Sequence, residues 1–151
     1  MRKLNKIIVH CSDSNFGEVE LVRRWHVQER HFDDIGYHFL ICNGYPTAEA
    51  WKAKKKVPKY DKLIEVGRPI SQIGSHAQGD NKDSIGVCLI GKNEFDLAPL
   101  YTVLVTLVDQ YAIPVANVLG HYETKSGISQ GKTCPNIDMA LVREQLAMLL
   151  L

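Results

Sequence analysis

Apolar positions in this chain fall either in short unbroken runs or at helical spacing, with polar turns between them. "KIIVH" is a continuous, β-branched run ending at His10 and predicts a short buried strand. After the polar turn "CSDSNFG", the stretch "EVELVRRWHVQER" sets Val19, Val22, Trp25 and Val27 roughly on one side of a helix. Glu18 and Glu20 near its start and Arg30 at its end suit the helix dipole. "IGYHFLIC" predicts a second strand, closed by the turn signal "NG". "KLIEVG" reads as its hairpin partner, displaced by the intervening "YPTAEAWKAKKKVPKYD". "SIGVCLIG" is apolar enough to be central in a sheet, and "VANVLGH" gives a further short strand that ends at His121. "LAPLYTVLVTLVDQYA" predicts a largely buried helix, with a strand as the minority reading because of its Val and Thr content. "IDMALVREQLAMLLL" predicts a closing helix started by Asp138. Strands alternating with helices imply an α/β layer architecture, a mixed central sheet flanked by helices.

Composition narrows the class without naming a chemistry. The 151 residues suit a single domain with one core, and 45% apolar with 23% charged residues is ordinary for a soluble globular protein. A formal net charge of +1 provides no global field toward nucleic acid or membrane, so neither is expected as a partner. The lysines of "WKAKKKVPKYDK" are read by default as a solvated surface. No apolar run approaches the ~18 to 20 residues that span a bilayer. The opening "MRKLNKIIVHCS" has an apolar stretch of only "IIV", too short for the core of a signal peptide, so synthesis in the cytoplasm is expected. Cys11, Cys42, Cys88 and Cys134 show no CxxC spacing, which argues against a disulfide framework. Cys42 and Cys88 lie in apolar runs and read as small buried hydrophobes. With no repeat, linker or low-complexity tract, residues 1–151 are expected to form one domain.

The titratable residues at strand ends carry the first hint of chemistry. His10 and His121 each follow a predicted strand directly, the position where α/β sheets collect reacting groups. The polar segment "HYETKSGISQGKTCP" begins at His121 and ends in a thiol, Cys134, for which such a segment has no packing need. Two imidazoles and a thiolate, with a fourth position open, form the donor set of a catalytic zinc. Spacing alone leaves this open, because a His at a strand end is more often a surface or cap residue. Copper fits poorly, since the chain lacks a tight Cys-His-Met loop.

Five blocks, "IIVHCSDS", "IGYHF", "GSHAQGDNKDSIGVCLIG", "GHYE" and "KTCP", occur in an order that resembles the N-acetylmuramoyl-L-alanine amidases of the bacteriophage T7 lysozyme type, relatives of peptidoglycan recognition proteins. The likeness runs over nearly the whole chain. It implies an amidase-like α/β fold and one Zn2+ per chain bound by His10, His121 and Cys134. It also implies catalytic roles for Tyr37 and Lys132 and a substrate groove lined by His76 and, more weakly, Asn81. The reaction implied is hydrolysis of the amide between N-acetylmuramic acid and L-alanine in peptidoglycan. In that chemistry Lys132 would face the charge developing on the carbonyl oxygen, and Tyr37 would orient the attacking water or relay its proton. A monomeric phage or prophage endolysin is expected, made in the host cytoplasm and acting on the wall after release.

Other residues receive quieter readings. His38 is expected to face away from Tyr37 as a structural residue, Trp25 to pack in the helix and His26 to lie on the surface. Cys11 should point away from the site, and Glu123 is either a partner to a ligand histidine or a surface residue. Residues 45–61 read as an insertion relative to compact relatives: a lid, a contact to the anionic wall or, by default, a surface excursion. The competing functions are a cytosolic amidase recycling muropeptides, a non-catalytic peptidoglycan-binding module, and a Cys-His hydrolase using Cys11 or Cys134 as nucleophile.

Overall fold

Five strands form one mixed sheet in the order β3-β2-β4-β1-β5 in the computed structural model, which describes residues 2–151. The strands are β1 (Lys6–Cys11), β2 (Phe39–Asn43), β3 (Asp61–Val66), β4 (Ser84–Leu89) and β5 (Val118–Gly120). β1, β2, β4 and β5 run parallel, and β3 joins β2 antiparallel with Phe39 opposite Val66 and Ile41 opposite Ile64. "SIGVCLIG" thus supplies the central strand, and every residue of β4 is buried.

The period-two alternation of β1 and β4 assigns the two faces of the sheet. Ile7, Val9, Ile85, Val87 and Leu89 face α3 (Ala98–Tyr111) and α5 (Met139–Leu149) and build the main core with Leu100, Leu104, Met139 and Leu146. Asp138 caps α5 as its sequence position predicts, accepting from the amides of Ala140 and Leu141. The opposite face carries His10, Leu40 and Cys88. It is only partly covered, by Val22, Ile35, Tyr37 and Ile90, with Val19 and Trp25 at the margin. The uncovered part of that face is the floor of a cleft. Among the described residues no helix is long and apolar enough to cross a membrane.

Helix α1 (Val19–Arg24) is capped by the Glu18 carboxylate and continues as one π-helical turn, Trp25–Glu29. Here the sequence reading needs a correction. His26, expected on the surface, is buried, while Val27 is exposed. One turn beyond buried Val22 falls at residue 26, so His26 takes the inward position and its Nδ1 accepts the Gly36 amide at 2.8 Å. The second strand also starts later than its apolar run suggests, at Phe39. Tyr37 therefore stands on the approach to β2 rather than within it.

The excursion between β2 and β3 is ordered by its own bonds. It contains the short helix α2 (Ala48–Lys52), capped by Thr47, and its base closes through Gly44 N–H to Tyr60 O and Val57 N–H to Gly44 O, both 2.8 Å. The segment from His121 to Cys134 is likewise more structured than a polar loop. His121–Glu123 form one 3-10 turn, followed by α4 (Lys125–Ser129) with Thr124 as its cap.

Candidate active site

A cleft of about 650 Å3 opens over the thinly covered face of the sheet. His10, Tyr37, His76, Asn81, His121, Lys132 and Cys134 all line it, although they are spread over more than 120 residues of sequence. β1 delivers His10 opposite Cys88 of β4. β5 ends at Gly120, so that His121 enters the cleft as the chain turns. Cys134 returns beside the start of this turn, with Tyr122 N–H donating to its carbonyl at 3.0 Å. The turn is tight at Gly127, where a Cβ would lie 1.8 Å from the His121 carbonyl oxygen. Lys132 N–H then bonds Gly127 O at 2.8 Å, which sets the backbone of the lysine on the rim.

One nitrogen or sulfur atom from each of His10, His121 and Cys134 lies within 4.8 Å of the other two, a spacing at which a single ion can touch all three. His10 is buried, and burial followed by the neighbouring His76 and His121 holds its pKa well below the usual histidine value. His121 is lowered by burial and then by the Lys132 ammonium. Both imidazoles are neutral at pH 7, the form that binds metal. Cys11 N–H donates to the Cys134 sulfur at 3.0 Å, a contact that favours a thiolate. Contact with the Cys11 thiol and then burial push the Cys134 thiol up, so on protein groups alone the sulfur keeps its proton. A divalent cation held by the three donors would reverse that direction by its own charge. The donor set thus fits a zinc ion.

His76 buttresses this trio. Its Nδ1 is 2.8 Å from His10 Nε2, and its Nε2 is 3.2 Å from the Ser84 hydroxyl. With Nε2 of His10 engaged, Nδ1 is the nitrogen left free. Asn81 holds the backbone beneath, its Oδ1 accepting from the amides of His76 and Ala77 at 2.9 Å each. Tyr37 packs between His10 and His26, with ring centroids 5.2 Å from each. Buried Arg68 ties the flanking segments together by donating to Ile35 O at 2.9 Å and Ile73 O at 2.8 Å.

Comparison with known proteins decides the family. The N-acetylmuramoyl-L-alanine amidase family matches residues 1–137. The chain belongs to that family. The amidase is 35% identical to the endolysin of Escherichia phage T7 over 148 residues, covering 88% of this chain and 81% of the relative. Among solved structures it resembles the N-acetylmuramoyl-L-alanine amidase LysC from Clostridium intestinale URNW, with a TM-score of 0.71, 23% identity, and coverage of 97% of this chain and 87% of that one. Drosophila peptidoglycan recognition protein SD shares the fold at a TM-score of 0.67 and 20% identity, over 95% of this chain and 82% of that one. The expected α/β amidase fold is the fold observed, and the protein is an amidase of the muramoyl–alanine bond of peptidoglycan.

Two residues of the amidase sit differently from their sequence reading. Cys11 is buried as expected but is not remote: its amide touches Cys134, and its thiol meets Lys92 O and the Asn136 amide. Glu123 pairs with Arg143 at 2.7 and 2.9 Å and accepts the Gly120 amide, which locks the β5 turn to α5 instead of orienting a histidine. His38 is structural, as expected, and its Nδ1 accepts the Gly86 amide at 3.0 Å. Sequence reading also missed Arg30 and Phe32, which line the cleft beyond the end of α1. "RHF" after a helix gives no signal that it folds over a site.

Gly86 makes room for the buttress. A Cβ there would stand 2.7 Å from Cδ2 and Cγ of His76 and 2.9 Å from its Nδ1. Gly86→Ala is expected to force the ring off His10 and to cost about 1–3 kcal/mol of stability, read as a lower urea midpoint. An unchanged midpoint would show that the ring has room to retreat.

Proposed function

We propose that the amidase is a zinc-dependent endolysin in which His10, His121 and Cys134 hold one Zn2+. The observation that carries this reading is the convergence of three metal-compatible donors on a cleft that also contains Tyr37 and Lys132. Zinc bound there supplies a Lewis acid for the scissile carbonyl and brings the pKa of water down to about 7. The protein's own groups do the rest. Lys132 is exposed on the rim and close enough to His121 to depress its pKa, so its ammonium is available to the oxygen of a carbonyl turning tetrahedral. Burial pushes the Tyr37 phenol well above its usual value, which makes it a hydrogen-bond donor that orients water and substrate rather than a base. His76 and Asn81 form the groove wall, and His76 additionally fixes the ring of His10.

The substrate in this reading is polymeric peptidoglycan, and residues 1–151 act as one monomeric zinc amidase domain with 45–61 as an insertion. Likeness to the T7 endolysin over most of both chains favours wall lysis after release from the host cytoplasm over recycling of fragments. Purified sacculi and soluble muropeptides separate the two: release of stem peptides with free N-terminal alanine from intact sacculi is expected, and cleavage of soluble fragments alone would favour recycling. Tyr37→Phe and Lys132→Ala are each expected to lower kcat by about 100-fold or more while leaving sacculus binding in place. A change confined to KM would remove their catalytic assignment. Binding to sacculi with no cleavage by the wild-type protein would indicate a recognition module.

A further inference from the structure

The lysine-rich excursion takes no part in the site described above. Residues 49–62 contain Lys52, Lys54, Lys55, Lys56, Lys59 and Lys62 against Glu49 and Asp61, a net +4. The whole chain carries +1, so the remaining residues sum to −3. All six lysines are exposed. Lys56 pairs with Asp61 at 3.5 Å, Lys62 with Asp96 at 3.1 Å, and the Lys54 ammonium lies 3.2 Å from the centroid of the Trp51 ring. Lys52, Lys55 and Lys59 have no carboxylate partner among the described residues. A chain of nearly neutral composition thus carries a local net charge of +4 on the excursion and the start of β3.

That element is firmly held and stands beside the cleft. Tyr45 and Trp51 pack edge to face with centroids 5.2 Å apart, and the base of the excursion is closed by the Gly44–Tyr60 and Val57–Gly44 bonds. β2 and β1 both run parallel to β4, so the excursion leaving β2 and the loop leaving β1 emerge at the same end of the sheet. They are stitched together there: Gly17 N–H donates to Tyr45 O at 2.8 Å and the Asn43 side-chain Nδ2 donates to Asn15 O at 2.9 Å. Ser12 and Asp13 of the same loop line the catalytic cleft. On the other flank of this loop a second cavity of about 350 Å3 is lined by Asn15, Trp51, Lys56, Lys62, Lys92 and Phe95.

We propose that the Lys52–Lys62 platform and its adjoining cavity are an auxiliary docking site for the carboxylate-bearing stem peptides of the peptidoglycan polymer, next to the stem held in the cleft. The proposal rests on peptidoglycan being the substrate. Free carboxylates recur along that polymer, and a fixed array of ammonium groups gains from meeting several at once even though each exposed pair contributes little. The platform holds the enzyme on the wall while the cleft selects the bond.

The test is a full-length, zinc-loaded variant carrying Lys52→Gln, Lys55→Gln and Lys59→Gln, compared with the wild type and with the corresponding triple Arg variant. Cosedimentation with purified sacculi and KM on sacculi are expected to weaken by about 10-fold in dilute buffer for the Gln variant, the gap closing at high salt. Arg substitution should restore binding, and turnover of a soluble monomeric muropeptide should be the same for all three proteins. Unchanged sacculus binding would overturn the proposal. So would an equal loss on the soluble fragment, which would assign the lysines to the cleft. Loss of binding to phosphatidylglycerol vesicles or to duplex DNA with sacculus binding intact would also overturn it, in favour of another polyanion. A wild-type protein that cleaved neither substrate would remove the amidase reading, and the sacculus comparison would still judge the platform.

Discussion

Cys134→Ser is expected to abolish zinc retention and with it amidase activity, while Cys11→Ser leaves both nearly intact. The two thiols are neighbours, but they stand in different relations to the site. Cys134 presents its sulfur to the pair of imidazoles, with a sulfur or nitrogen atom of each residue within 4.8 Å of the others. Cys11 donates its backbone N–H to the Cys134 sulfur and its thiol touches that sulfur, but the thiol also engages Lys92 O and Asn136 and is not one of the three converging donors. Serine nearly preserves the volume at either position, so packing changes little and the comparison isolates ligand chemistry. Since loss of a partner that merely orients a ligand costs about 10–100-fold in metal affinity, loss of a ligand itself should exceed roughly 100-fold. Zinc content after dialysis and turnover on sacculi read the two effects separately. A Cys11→Ser protein that kept zinc but lost activity would point to a cysteine nucleophile. A Cys134→Ser protein that kept both would remove Cys134 from the ligand set.

Acid should unfold the amidase at a pH set by its buried structural histidines. Burial, then Arg30 and Arg68, lowers His26 to about 4, and burial lowers His38 to about 4. Each Nδ1 accepts a backbone amide, from Gly36 and Gly86 respectively, so each ring must be unprotonated at that atom. An unfolded histidine titrates near 6.5. The folded state therefore binds fewer protons between pH 6.5 and 4, and stability falls as pH drops through that window, being complete above it. At about 1.4 kcal/mol per pKa unit, each histidine withdraws about 3 kcal/mol by pH 4, against a total of about 5–15 kcal/mol for a typical domain. Buried His10 and His76 titrate in the same direction when no metal is bound. Urea midpoints of the metal-free protein at pH 7.5, 5.5 and 4.5 are expected to fall steeply. His38→Asn, whose amide oxygen can still accept the Gly86 N–H, should remove about 3 kcal/mol of that drop. A midpoint independent of pH would mean that these rings accept protons without breaking their bonds.

Elements whose apolar pattern is self-sufficient were legible from sequence. β1, β4 and β5 are unbroken β-branched or apolar runs, and α5 carries its own cap in Asp138. Elements that depend on distant partners were not. His26 is drawn inward by an amide ten residues later, and α4, five residues including a glycine, exists because Thr124 caps it and Gly127 fits under the His121 carbonyl. The same limit governs the site. His10 and His121 stand out as polar residues ending apolar strands, whereas Tyr37 and Lys132 look like a strand aromatic and a loop lysine, and only the resemblance in motif order suggests the roles proposed for them. Arg30 and Phe32 have neither signal, and only the fold brings them to the cleft. Cys11 and Glu123 were misjudged in a related way, because backbone amides and an arginine on another helix decide where they act.

The central claim, zinc bound by His10, His121 and Cys134 driving amide hydrolysis, is tested most directly by metal content measured together with activity on sacculi. Both are followed before chelation, after it, and after zinc is restored. The account predicts about one zinc per chain, activity lost on chelation and recovered with zinc. A metal-free protein that still cleaves the muramoyl–alanine bond would contradict it.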